Sequence, residues 1–530
     1  MKRKILCSIV FIFTITGIHA QITFQKIYGG NYGEDDGRSI QQTGDGGYII
    51  AGFSRKSATN LDIKLIKTNS VGDSLWVRTY GGPANEEAKS VRETTDGGYI
   101  VAGYTKSFGA GNSDALLMKI DSAGNLLWTK TYGNTNVETA NTVRQTTDGG
   151  FILFGTATTN TSSYDNAYLI KTDALGDTLW TKTIGTNADD IGTYVQQTPD
   201  SGYILTGTLA NINGGASDVF LAKTNSSGAL QWIKTYGGPS YDYGNYIQTT
   251  TDGGYVIYGS SRSFHTSIYD IYMVKTDANG DSLWTRRVSG GYGDYGTCMM
   301  QTADGGYFVA GNSANSASIY DILLLKMDAN GDSVWSKTVG VTPTNDFPYG
   351  IEQTTDGGYI ITGAKAVAFG GKEIYLIKTD ANGNSGCNQS SKSLIVQSTP
   401  SVKIIPTLPT VYFTTTISSP VLTVGSGGTI TTPCTNVSLA EQNSLVAMDV
   451  FPNPSPGKFT VSFGKTIAKG FVEILNIQGS CINRVQSLDI SGESEKSIEL
   501  NNCMSGIFLL RVFDGDKYMS RKIVHMNLLD

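Results

Sequence analysis

An Asp-Gly-Gly-Tyr motif, or a close variant of it, recurs along most of the chain. Its aspartates are Asp45, Asp96, Asp148, Asp200, Asp252, Asp304 and Asp356, spaced by 51 residues once and by 52 thereafter. A period near fifty constrains the fold more than any other feature of the chain, because each unit is too short to bury a core alone and must stack on its neighbours. Four short segments rich in Ile, Val, Tyr, Trp and Thr fill each unit, roughly 38–43, 47–53, 62–67 and 74–80 in the first, and Gly/Asp/Asn clusters separate them. No segment carries helical periodicity with caps. The class is therefore all-β. Four strands per unit make one propeller blade, and seven units predict a seven-bladed β-propeller over residues 21–386.

The ends of the repeat predict how the ring closes. Trp76, Trp128, Trp180, Trp232, Trp284 and Trp335 mark the fourth strand in only six of the seven units. Counting back 52 residues from Trp76 reaches Phe24 in "ITFQKIYGG", a good copy of that strand; counting forward from Trp335 reaches Cys387, where the pattern has dissolved. The N-terminal strand is thus expected to complete the last blade and hide both open edges.

The stretch "KTDANGDSLW" at 275–284 has the alternating oxygens of a calcium loop, but its glycine is fourth rather than sixth and no glutamate stands twelfth. Asn-Gly favours a tight turn between the third and fourth strands. The Asp…Gly…Trp spacing also resembles the tryptophan-docking repeat of pyrroloquinoline-quinone dehydrogenases. That resemblance implies packing of the tryptophan between blades and carries over no quinone chemistry.

Residues 1–20, "MKRKILCSIVFIFTITGIHA", have the basic start, apolar core and small-residue end of a secretory signal peptide, too short to span a membrane. Its loss removes Lys2, Arg3 and Lys4, leaving 37 basic against 46 acidic residues, a net −9. That balance argues against nucleic acid and anionic membrane as partners. Only His265 and His525 lie beyond the leader, which disfavours histidine-based metal centres and catalysis. Five cysteines remain: the free-standing Cys298, and Cys387, Cys434, Cys481 and Cys503, candidates for disulfides in an exported chain.

Ten residues before each motif aspartate stands an acid: Asp35, Glu86, Glu138, Asp190, Asp242, Asp294 and Asp346. Seven carboxylates at one mouth of the channel would repel one another, and a channel cation such as calcium would relieve them. Equally, a residue present in every blade does the same local job in each, such as accepting loop N–H groups. Binding is expected where the blades differ. The loops of blades five to seven carry Tyr241, Tyr243, Tyr292, Tyr295, Phe347 and Tyr349, with Phe264, His265, Tyr269 and Tyr320 on the facing loops. Aromatic platforms beside Asp242, Asp294 and Asp346 suit sugar rings, which offer an apolar face and a hydroxyl edge; the alternative is that the rings fill gaps between loops. No nucleophile elbow, P-loop or zinc-protease motif occurs. A glycan-binding propeller is the first expectation. A polysaccharide hydrolase or lyase using propeller carboxylates is the second, and a structural adhesin that binds protein the third.

Beyond residue 386 the repeat ends. Residues 387–440 are Ser/Thr-rich and read as a β-rich connector bracketed by Cys387 and Cys434. Residues 441–530 contain "VFPNPSPGKFTVSF" at 450–463, "VEILNIQGS" at 472–480, "SGIFLLRV" at 505–512 and "SRKIVHM" at 520–526. In order and spacing these resemble the type A C-terminal sorting domain of type IX secretion cargo from the Bacteroidota. The resemblance implies a small β-sandwich, recognition by the type IX secretion machinery, passage through periplasm and outer membrane, and a secreted or surface location. Cys481 and Cys503 fall outside that family's pattern and form a second candidate disulfide.

Overall fold

The computed structural model describes residues 21–437 and 449–525, apart from 30–32, 58, 159–163, 211–215, 266–267, 317–318, 341–343, 368–370, 401, 405–409, 412–415, 419–422, 426–428, 452–457, 463–467, 476–487, 490, 493, 500–505 and 514–517; residues 402–449 are described by their backbone alone. The leader, Cys481 and Cys503 lie outside the described residues, as does the side chain of Cys434.

Residues 23–434 form one unit, a propeller of seven antiparallel sheets, and no helix occurs among the described residues. Blade one consists of Asp35–Gln42, Tyr48–Ser57, Asn60–Thr68 and Ser74–Gly81, and the pattern repeats through blade six. Blade seven takes Asp346–Gln353, Tyr359–Ala366 and Lys372–Thr379 from the end of the repeat and Ile22–Gly29 from its start, with Phe24 opposite Lys378 and Tyr28 opposite Ile374. The ring closes through its N-terminal strand.

The repeated motifs each make a recurring contact. The Asp-Gly-Gly aspartate caps the hairpin between first and second strands: Asp200 accepts from Thr198 Oγ1 and Gly202 N–H, and Lys223 from the third strand donates to it. The Asp277 carboxylate accepts from the amides of Asn279 and Asp281, so the alternating acids make a turn. At Gly228 the backbone of the corresponding turn is left-handed (φ 76°), and a Cβ there would strike the Trp180 ring of the preceding blade at 2.6 Å. Trp180 also meets Tyr203 edge-on at 5.9 Å. Glycine and tryptophan together let the edge of one blade lie flat on the next.

The Ser/Thr-rich connector is β-rich, and its strands belong to the propeller. Gln389–Ser391 adds a fifth strand to blade six and Ile395–Ser398 to blade five. Val402–Ile404, Thr410–Val411, Thr416–Ser418 and Thr423–Gly425 continue backwards through blades four, three, two and one. Thr429–Val437 then lies beside Ile22–Gly29 on blade seven. This belt pairs the outer edge of every blade, where unpaired N–H and C=O groups would otherwise invite another chain. Cys387, at its start, is held in a disulfide.

The second unit contains the described tail. Asp449–Phe451, Lys458–Ser462 and Glu495–Glu499 form one sheet; Leu488–Asp489, Phe471–Leu475, Gly506–Phe513 and Tyr518–His525 form another. Val461, Val472, Ile474, Ile498, Leu510 and Val512 are its buried apolar residues.

Candidate functional site at the channel mouth

The innermost strands of the seven blades run side by side around the channel, so residues at one register form a ring. The first register holds the seven acids, and all of them are at most 1% exposed. Five of them look back into the loop that leads into their own strand. Glu86 accepts from Gly82 N–H, Glu138 from Asn134 N–H, Asp190 from Thr186 N–H, Asp242 from Gly238 N–H and Asp294 from Gly290 N–H, always four residues back. Asp242 also takes the Ser263 hydroxyl at 2.7 Å, and Asp294 that of Ser313 at 2.6 Å. Asp35 and Asp346 instead face Lys64 and Lys365. Burial pushes Glu138 up to about 7 and Asp190 and Asp346 up to about 6, and it raises Asp242 and Asp294 as well. These acids hold loops together, and Asp242, Asp294 and Asp346 are placed beneath the surface on which they were expected to meet a ligand.

The second register, one residue on, differs from blade to blade. It reads Asp36, Glu87, Thr139, Ile191, Tyr243, Tyr295 and Phe347. Tyr269 and Tyr320 from the facing loops insert between its three rings. The result is a continuous arc: Tyr243 to Tyr269 at 5.8 Å, Tyr269 to Tyr295 at 5.3 Å, Tyr295 to Tyr320 at 6.1 Å and Tyr320 to Phe347 at 6.4 Å between centroids. Arg262 lies 5.9 Å from the Tyr269 ring and Lys372 lies 5.0 Å from Phe347. All five rings are half-buried.

Blades one and two carry charge at the same register. Asp36 pairs with Arg38 at 2.8 Å and Glu87 with Lys89 at 2.6 Å, while the Tyr104 hydroxyl donates to Glu87 at 2.6 Å. Burial raises Asp36, with Glu87 adding to the rise against the pull of Arg38. Burial also pushes on Glu87, but Lys89 and the Tyr104 hydroxyl outweigh it and hold that carboxyl below its ordinary range.

At the fourth register each strand bulges, one residue standing unpaired between its neighbours, as Arg38 does between Gly37 and Ser39. The same shift occurs at Lys89, Asn141, Thr193, Asn245, Thr297 and Tyr349. A bulge re-aims the extra side chain, and these seven line the channel cavity below the mouth.

The arc brings together Tyr243, Tyr269, Tyr295, Tyr320 and Phe347, all five of them candidates read from the sequence. Tyr349 lies a layer deeper, its ring 4.1 Å from the Arg38 guanidinium. Phe264 packs on Tyr272 at 5.4 Å, against the core shared by blades four and five. His265 is half-buried near the buried Asp270. Tyr241 and Tyr292 are exposed on the loops, at 44% and 52%. A cation in the channel cavity would meet Arg38, Lys89 and Arg92 and no carboxylate. Reading the sequence missed Asp36 and Glu87 as site residues. They stand out only as acids found at their register in two blades of seven.

The architecture defines an exported-type repeat protein: a belted seven-bladed propeller followed by a separate small β unit. Residues 449–526 of that unit match the family of secretion system C-terminal sorting domains, and this type IX sorting signal marks the protein for the cell surface or the medium. No curated protein matches the chain. Among solved structures, a protein of unknown function from Dyadobacter fermentans is similar over 69% of this chain and 99% of its own, at 10% identity and a TM-score of 0.39. The β-1,2-mannobiose phosphorylase of Listeria innocua is similar over 68% and 95%, at 11% identity and 0.26. The endo-1,5-α-L-arabinanase of Thermotoga petrophila is similar over 68% and 100%, at 11% and 0.28.

Proposed function

We propose that the protein is an exported glycan-binding propeller whose ligand lies across the channel mouth. The observation that carries this reading is the arc of five rings in blades five to seven, continued around the same opening by the two ion pairs of blades one and two. Half-buried aromatic faces take the apolar side of a sugar ring. Asp36, Arg38, Glu87 and Lys89 supply acceptors and donors for hydroxyls on the opposite side. Residues 441–530 engage the secretion machinery, and the leader directs the chain across the inner membrane. A glycan array probed with residues 21–437 tests the reading: binding lost in a folded Tyr295→Ala/Tyr320→Ala variant is expected. An array without hits, or hits that the double variant retains, would move the site elsewhere.

A second reading rests on Asp36 and Glu87. Two neighbouring carboxyls pushed in opposite directions are the arrangement of an acid and its partner in glycoside cleavage. Release of new reducing ends from a polysaccharide panel, abolished by Asp36→Asn, would establish a hydrolase in place of a binding protein.

A further inference from the structure

Below the mouth the channel contains a cavity of about 150 Å³, well above the roughly 10–15 Å³ that admits one water. Its lining is one-sided. Arg38, Lys89 and Arg92 contribute to it, together with hydroxyls and amides from several blades, and no aspartate or glutamate does. Arg38 and Lys89 are paired with Asp36 and Glu87 at the mouth, which leaves Arg92 as the lining cation with no salt bridge among the described residues.

The donors of this lining are incompletely used. Thr142, 1% exposed, lines the cavity with a hydroxyl that has no partner, and Arg38 Nε also lacks one. Arg92 commits Nη1 to the carbonyls of Ile40 and Val91 at 3.1 and 2.9 Å. Arg144 stands at the same register one blade on. Its Nη1 meets Val143 O at 3.1 Å, and its Nη2 meets the Tyr194 hydroxyl, which in turn donates to Tyr246 at 2.9 Å. The carboxylate that acts on both arginines is Glu352, which is itself bonded to Gln42 N–H. A guanidinium offers five donors in a planar fork. An unpaired guanidinium N–H on Arg38 and an unpaired hydroxyl on Thr142, both buried at one confined channel, are costly unless an acceptor-rich group meets them.

We propose that this cavity is a binding site for a small oxyanion of the sulfate, phosphate or carboxylate type, coordinated by Arg38, Arg92 and the Thr142 hydroxyl. The anion enters either free or as the acid group of a sugar chain lying over the mouth. The site stands whether or not the mouth binds glycans, because Arg92 and Thr142 lie on a deeper layer of the inner strands and only Arg38 is shared with the mouth.

The test uses the full chain, desalted, in titrations with sodium sulfate against sodium chloride at matched ionic strength. A saturable rise in Tm with sulfate alone is expected, with at least tenfold weaker binding in Arg92→Gln and no change in Lys130→Gln, which removes an exposed ion pair on another part of the blade. A uronic-acid oligosaccharide forms the second arm: tighter binding than sulfate, again reduced in Arg92→Gln, assigns the anion to the sugar chain. Equal responses to sulfate and chloride with no oligosaccharide effect would overturn the proposal, as would unchanged affinity in a folded Arg92→Gln. Should that variant not fold, crystals of the unaltered chain in selenate decide it. Anomalous density between Arg92 and Thr142 supports the site, and an empty cavity sinks it.

Discussion

Asp242 and Tyr243 are adjacent on one strand, as are Asp294 and Tyr295, yet the two members of each pair belong to different parts of the molecule. The first is repeated in all seven blades as an acid, is buried, and ties a loop to its strand. The second changes around the ring, faces the mouth, and joins an arc of aromatic rings. A period-two strand turns alternate side chains to opposite faces, so a single step moves a residue from scaffold to site. Repetition marks what the blade needs, and departure from repetition marks what the whole ring can do.

The comparison is most directly attacked at the repeated positions. Trp180→Ala removes a ring wedged between Tyr203 and the Gly228 turn and is expected to cost about 4 kcal/mol. A loss below about 0.5 kcal/mol in urea unfolding, the level of a surface substitution, would show that the tryptophan column is not packed between blades.

Asp242→Ala leaves the Gly238 amide and the Ser263 hydroxyl without their acceptor, and about 2 to 3 kcal/mol of stability should go with it. Affinity for any mouth ligand should stay constant while the fold persists. A binding defect without a stability defect would transfer Asp242 to the site and undo the contrast.

At the unrepeated register the expected effects exchange places. Truncating Tyr295 and Tyr320 together should weaken glycan binding by about 2 kcal/mol or more, since rigid aromatic anchors dominate interfaces. The melting temperature should move little, because these rings are half-exposed. Collapse of the fold in this variant would mean that the arc packs loops together instead of presenting a platform.

The smallest expected effect sharpens the contrast through pH. Glu138 is raised to about 7 in the folded state, so its share of stability is complete below its ordinary value of 4.5 and disappears as pH rises through 7. Asp200, held down to about 2 by Lys223 and Thr198, behaves oppositely: its share is present above 3.8 and disappears as pH falls towards 2. Melting curves should therefore decline on both sides of a maximum near pH 4 to 5, and Glu138→Gln should flatten the alkaline slope alone. An unchanged slope between pH 5 and 7 in that variant would remove Glu138 as its source.

Most of the propeller was legible because its signals are periodic: seven copies of a motif, six tryptophans, and a seventh strand found by subtraction at Phe24. The rings of the arc were legible and its limits were not. Tyr243, Tyr269, Tyr295, Tyr320 and Phe347 stand out by composition, but so do Tyr349 and Phe264, whose exclusion depends on a bulge and on loop packing, which leave no mark in spacing. Asp36 and Glu87 were hidden beside the more regular acids that precede them. The belt was missed as a repeat, although its strands begin every six to eight residues from 389 to 429. Six of its seven strands have two to four residues, too few positions for alternation to stand above noise, and their partners lie more than a hundred residues away in most blades.

The belt also orders events in time. Ile22–Gly29 is the first strand of the propeller to be made, and it is flanked by Lys372–Thr379 on one side and Thr429–Val437 on the other. Its neighbours arrive some 350 and 410 residues later, and contacts of such long sequence separation form late and slowly. Until then the earliest segment has neither edge satisfied. The last blade to close is thus assembled from the oldest and the newest parts of the chain, and the belt, whose docking needs seven finished outer edges, can tighten only on a ring that is already complete.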